Sequence, residues 1–181
     1  MMAHTHMMVG AGTYTLVSTL ATAEPISGIA LGAAVLGSVA PDIDTPASYL
    51  GRRLWPFSLV FGLLAGHRGI THSLFALALV SAALVFFVPS QYASVALAFI
   101  LGYASHIFAD WNTNSGVPFF WPSKQRTCAP WSFSTGSMTE VAIGAVFVAG
   151  FAIWGSIAFD VRQMQEAALQ TAEKIHGWLP L

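Results

Sequence analysis

Asp42 and Asp44, His67 and His72, and His106 and Asp110 are pairs of metal-ligating side chains separated by two, five and four residues. The four-residue spacing puts His106 and Asp110 on one face of a helix, where both can hold one ion. Asp42 and Asp44 are bounded by Pro41 and Pro46, and in an extended turn both carboxylates can point the same way. His67-Arg68-Gly69-Ile70-Thr71-His72 offers one imidazole in a loop and one at a helix start, with Gly69 freeing the turn. Imidazole with carboxylate and no thiolate suits zinc, manganese or iron, and suits hydrolysis better than electron transfer. His6 and Glu140 join the set when the chain is traced across a membrane, and the resulting group is large enough for one or two divalent ions. Arg68, lying among the ligands, can bind a substrate phosphate.

The elements that must position these residues are apolar. Of 181 residues, 55% are hydrophobic and 8% charged, too few charges to build a water-soluble surface. Five apolar segments, 7–20, 26–40, 74–88, 92–109 and 141–159, predict an all-α polytopic membrane bundle of about five spans. Segment 57–66 is too short to span. Glu24-Pro25, the proline-bounded stretch 41–46 and Pro89-Ser90-Gln91 separate the spans, and Pro118, Pro122 and Pro130 keep the stretch after Asp110 out of regular helix. The domain is expected to cover 1–159. Residues 160–181 are expected to form an amphipathic interfacial helix, or alternatively a helix packed against a partner subunit, with Val161, Met164, Ala168, Ala172, Ile175 and Leu179 at helical spacing.

Alternating spans bring His6, Asp42, Asp44, His67, His72, His106, Asp110 and Glu140 to one membrane face, from five separate chain segments. Arg52, Arg53, Arg68, Lys124 and Arg126 lie in the loops on that face, which assigns it to the cytoplasm; Arg162 and Lys174 fall on the other side. Trp55, Trp111, Trp121 and Trp131 fit an interfacial aromatic belt at the same level. Ionisable groups near membrane depth are costly and usually functional.

Each piece also has a plainer role. Asp110 can orient His106 within the bundle, Asp42-Ile43-Asp44 can cap a loop, and Ser137-x-x-Glu140 is a capping box. Arg68 can be a cytoplasmic anchor, and His4 and His176 belong to no cluster. A charge of −1 with no basic stripe argues against nucleic acid as a partner, and the single Cys128 excludes an internal disulfide or a cysteine-rich zinc site. The first residues carry no basic region, so a cleaved signal peptide is not expected.

Pro41-Asp42-Ile43-Asp44, the run Gly66-His67-Arg68-Gly69-Ile70-Thr71-His72-Ser73, and the run from Gly102 through Ser105-His106 to Asp110 carry a resemblance, with Gly116-Val117-Pro118-Phe119-Phe120-Trp121-Pro122 after them. The chain resembles the YdjM-type family of bacterial inner-membrane, LexA-regulated, metal-dependent hydrolases. His6 stands where that family has an early histidine and Glu140 where it has an acid opening a late helix. The likeness covers about residues 1–145 and leaves out the tail.

The resemblance implies a multi-pass inner-membrane hydrolase with metal ligands at Asp42, Asp44, His67, His72, His106 and Asp110. It also implies a distant likeness to the zinc-dependent phospholipase C and P1-nuclease class, hence a phosphoester or phospholipid substrate. In the mechanism expected from these residues, Asp44 or Glu140 takes a proton from water and Arg68 binds phosphate. The competing expectations are a metal or proton transporter, whose sites usually lie near the bilayer midplane, and a regulatory membrane protein holding a structural metal.

Overall fold

A computed structural model describes residues 1–21, 26–65 and 69–154. His67, Arg68, the Glu24-Pro25 break and the expected amphipathic tail lie outside the described residues. The chain divides into two compact units, Met1–Gly144 and Ala145–Leu181.

The described elements are helical. α1 spans Ala3–Ala21 and α2 spans Gly28–Gly37. Pro41 cannot continue a regular helix, and the chain instead tightens into a 3-10 turn, Ala40–Asp44. Short α3, Tyr49–Arg53, and α4, Trp55–Ala65, follow. A second 3-10 turn, Ile70–His72, leads into α5, Leu74–Phe87, and a third, Ser90–Tyr92, leads into α6, Ala93–Trp111. The last described helix, α7, covers Met138–Trp154. The described parts of the predicted apolar segments fall on α1, α2, α5, α6 and α7, and that of the short segment 57–66 on α4.

Local chemistry sets several boundaries. Ser27, Ser48 and Ser73 each accept a hydrogen bond from a backbone N–H in the first turn of α2, α3 and α5, satisfying donors that have no partner inside the helix. The stretch between α6 and α7 carries no helix, as its prolines require. It folds back on the end of α6, where Ala129 N–H donates to the Trp111 carbonyl at 2.9 Å and Phe133 N–H to that of Asn112 at 3.1 Å. The α5 start is tied to the same loop by Leu74 N–H donating to the Phe119 carbonyl at 3.1 Å.

α1, α2 and α6 pack on one another, and α2 against α6 is the most extensive contact. Small residues make that possible. Ala30, Ala34 and Ala98 are fully buried at the contact with Tyr14. A Cβ on Gly37 would run into the Phe99 carbonyl of α6, and one on Gly102 into the Ala34 carbonyl of α2. Backbones this close gain dispersion contact where apolar burial between helices contributes little, as in lipid. The second cluster, Ala76, Tyr103, Ile107 and Val117, fastens α5 and the loop to the other face of α6.

Among the described residues one helix is long and apolar enough to cross a membrane, Ser90–Trp111, which includes α6; α2, α5 and α7 are apolar but shorter. The apolar exterior is extensive: Val85, Phe86 and Phe87 are at least 72% exposed at the end of α5. Trp55, Phe120, Trp121 and Trp131 also lie open to the outside. A surface of this kind suits lipid rather than water.

Candidate metal centre

Four elements converge on one buried point. α1 brings His6 in its opening turn, the 3-10 turn after α2 brings Asp42 and Asp44, the turn before α5 brings His72, and α6 brings His106 and Asp110 one helical turn apart. The close fit of α2 on α6 through Gly37 and Gly102 is what lets the Asp42 turn reach His106. Ser73, capping α5, fixes where the helix starts and leaves His72 at the end of the preceding turn.

The imidazoles of His6 and His106 stack with ring centroids 3.8 Å apart and planes 16° from parallel, and His72 meets His106 edge-on at 5.0 Å. His72 Nε2 and His106 Nε2 are 3.2 Å apart. Around them stand Asp42 Oδ1, 3.6 Å from His72 Nε2 and 3.8 Å from His106 Nε2, and Asp110 Oδ2, at 3.7 and 3.8 Å. On the other side of the same carboxylate, Asp110 Oδ1 lies 3.2 Å from His6 Nε2 and 2.7 Å from the Met1 nitrogen. Two overlapping triads, His6/His106/Asp110 and Asp42/His72/His106, each have donor atoms within 4.8 Å of one another, close enough to hold a metal ion.

The donors fit a divalent cation by more than proximity. His106 Nδ1 is 2.7 Å from the Ser38 carbonyl, which can only accept, so Nδ1 carries the proton and Nε2 presents its lone pair to the cluster. A backbone carbonyl holding the remote nitrogen is the usual second-sphere arrangement for a metal-ligating histidine. His6 is buried; its Nε2 lies 3.2 Å from Asp110 Oδ1 and its Nδ1 meets no hydrogen-bond partner. A buried polar atom left this way calls for a partner of another kind.

His6, His72, His106 and Asp110 are at most 1% exposed, whereas the Asp42 side chain keeps 15%. Burial pushes the Asp42 carboxyl up, but the interaction with His72 and the fields of His106, His72 and His6 outweigh it and hold it down at about 2. Asp44 is likewise lowered: burial opposes, and His72, Thr71 and Thr45 prevail. Burial pulls His72 down, yet Asp42, Asp44 and Asp110 together raise it to about 9. Without a metal, a proton on this imidazole is what separates the facing nitrogens.

The remaining expected residues stand apart from the cluster. Asp44 lies behind His72, 3.5 Å from Nδ1; its Oδ1 accepts from the Thr45 hydroxyl at 3.0 Å and its Oδ2 from the Thr71 hydroxyl. Glu140 is fully buried at the start of α7, its Oε1 accepting from Met2 N–H and its Oε2 from Gly136 N–H at 2.7 Å, while its own N–H donates to Ser137 Oγ at 3.4 Å. That is the capping box, extended to tie the start of α1 to the start of α7. His67 and Arg68 lie outside the described residues.

Three contributors carried no sequence signal of their own. The Ser38 carbonyl is a backbone atom, Tyr103 reaches across from α6 to the Thr71 carbonyl at 2.6 Å, and Thr71 is distinguished in the sequence only by adjoining His72.

A sequence profile of the YdjM inner membrane protein family matches residues 1–172. The inner membrane protein YdjM of Escherichia coli strain K12 is 42% identical over 100 residues, which make up 54% of this chain and 51% of that protein; the YdjM of Shigella flexneri gives the same figures. The alignment therefore spans about half the length of these two relatives. The uncharacterized protein YvsG of Bacillus subtilis strain 168 is 32% identical over 139 residues, 75% of this chain and 82% of that one. No solved structure matches the chain. With a buried His/Asp cluster, an apolar exterior and a profile match along nearly its whole length, the chain belongs to the YdjM inner membrane protein family.

Proposed function

We propose that this protein is a multi-pass inner-membrane hydrolase whose centre holds one divalent metal ion, zinc first and manganese or iron next, and whose substrate is a phosphoester or lipid-like molecule. The observation that carries the reading is the approach of His72 Nε2 to His106 Nε2 at 3.2 Å, framed by the carboxylates of Asp42 and Asp110. Two imidazole nitrogens at that distance either share a proton or flank a metal ion, and the carboxylates and third imidazole around them suit a divalent ion. We assign the ligand set to His6, Asp42, His72, His106 and Asp110. His106 has one lone pair to give, so the two triads that share it describe a single ion rather than two through that residue.

A divalent ion in this ligand set supplies Lewis-acid chemistry, lowering the pKa of water and polarising an ester or phosphoryl oxygen. Asp42, the partly exposed member, marks the side from which water and substrate approach, and we assign its oxygen not given to the metal to take the water proton. Asp44 and Glu140 suit that role less well, since each of their four carboxylate oxygens already accepts a hydrogen bond. Arg68 remains the proposed phosphate-binding side chain on sequence grounds. The basic residues Arg52, Arg53, Lys124 and Arg126 support a cytoplasmic orientation of this face.

The test is a panel of phosphomonoester, phosphodiester and phospholipid substrates, with detergent-purified protein, zinc-loaded and chelator-treated. Activity that needs the metal and disappears in both Asp42→Ala and His106→Ala supports the reading. No turnover of any substrate by zinc-loaded wild type refutes the hydrolase. A second reading, a structural ion, draws on the near-complete burial of His6, His72, His106 and Asp110. An exchangeable water on the bound metal excludes it, because structural sites are closed by protein ligands.

A further inference from the structure

We infer that Thr71 and Asp44 form a positioning pair that fixes the tautomer of His72 and aims its Nε2 at the cluster, an assignment that rests on the metal reading above. The argument follows the direction of each hydrogen bond. A carboxylate only accepts, so the hydroxyl protons of Thr45 and Thr71 both point at Asp44, onto Oδ1 and Oδ2 respectively. The single proton of the Thr71 hydroxyl is thereby committed. Its oxygen, 3.0 Å from His72 Nδ1, can offer only lone pairs to the ring. Nδ1 must then be the protonated nitrogen, and Nε2 is left to face His106, Asp42 and Asp110.

The pair is itself held in register. Tyr103 donates its hydroxyl to the Thr71 carbonyl at 2.6 Å, and Tyr103 stands on α6 three residues before His106. The helix that supplies two ligands therefore also fixes the residue that orients a third. His106 reaches the same outcome by a different route, through the Ser38 carbonyl. The two imidazoles differ in consequence: one is backed by a neutral carbonyl and the other by a hydroxyl linked to an anion, which raises the basicity of His72 Nε2 toward a metal. Asp44 on this account acts through His72, as a positioning residue, and touches neither metal nor substrate.

The experiment uses the full chain in detergent. Zinc affinity, measured by competition with a chromophoric chelator, is expected to fall 10–100-fold in Thr71→Val and in Asp44→Asn. It is expected to return near the wild-type value in Thr71→Ser, which keeps the hydroxyl and loses only a methyl. Nitrogen-15 NMR of the zinc-loaded wild type, with labelled histidine, is expected to show His72 protonated at Nδ1 and coordinated through Nε2. That readout stands even if a variant fails to fold. Coordination through Nδ1, or wild-type affinity in both Thr71→Val and Asp44→Asn, overturns the pair while leaving the metal reading intact. A wild type that takes up no zinc overturns both.

Discussion

His106 Nε2 lies 3.2 Å from His72 Nε2, with the proton of His106 held on the far nitrogen by the Ser38 carbonyl 2.7 Å away. Two residues 34 positions apart in sequence, one on α6 and one in a 3-10 turn, are thus brought nose to nose in a fully buried place. Two bare lone pairs at that distance repel, so a proton or a metal ion stands between them, and the predictions below follow from the metal.

His72→Gln and His106→Gln each remove one imidazole donor while keeping a side chain of similar reach. Zinc affinity should drop by more than about 100-fold in either, beyond the roughly 10–100-fold typical of losing a residue that only orients a ligand. Equilibrium competition with a chelator measures it. Retention of wild-type affinity in both variants would remove these residues from the ligand set.

Metal binding should depend on pH through His72. Its imidazole is raised to about 9 by the surrounding carboxylates, against the ordinary 6.5, so below about 9 a metal must displace a proton. Apparent affinity should therefore rise by up to about tenfold per unit as pH increases toward 9. The metal-free protein should behave oppositely. A raised folded-state pKa contributes stability that is complete below about 6.5 and lost as pH climbs through about 9, so its melting temperature should fall across that window. Asp42, held down at about 2, stays ionised throughout. Parallel rather than opposed trends would contradict the assignment.

Glu140 separates a cap from a base. As a cap it accepts backbone N–H groups from Met2 and Gly136, so Glu140→Ala should cost about 1–3 kcal/mol of stability by leaving them without an acceptor. Metal content should stay at the wild-type level, and Glu140→Gln should keep most of any hydrolytic activity. Loss of activity by orders of magnitude in a well-folded Glu140→Gln would restore it as a general base.

Gly37 and Gly102 test the frame. Each faces a backbone carbonyl of the opposite helix, so Gly37→Val or Gly102→Val must push α2 and α6 apart. The cost should reach at least the roughly 1–3 kcal/mol typical of overpacking, and zinc affinity should fall with it because the Asp42 turn moves away from His106. Thermal unfolding in detergent and the chelator assay read the two effects together. A valine tolerated at both positions would contradict the close contact.

Much of the fold was legible in the sequence because apolar runs broken by proline mark helices and turns without reference to anything distant. The helical pair His106 and Asp110 was legible for the same reason, since a spacing of four is a local property. His6, Asp42 and His72 were legible as ligand types at the ends of apolar segments, and the packing of those segments is what brings them together. What spacing could not reveal was rank within the set. Asp42 and Asp44 look equivalent in a sequence, yet the tight 3-10 turn after Pro41 sends one toward His106 and the other behind His72. Glu140 was readable either as a cap or as a ligand, and only the position of Met2 N–H, fixed by tertiary packing, weights the choice. The Ser38 carbonyl was beyond reach, because a backbone oxygen has no residue type to announce it.

The account rests on a cation between His72 and His106, and the metal content of the detergent-purified full chain tests it most directly. Elemental analysis after dialysis against zinc should find one ion per chain in the wild type and close to none in His106→Ala. A wild type that retains no stoichiometric divalent metal, or a His106→Ala variant that retains as much as the wild type, would contradict it.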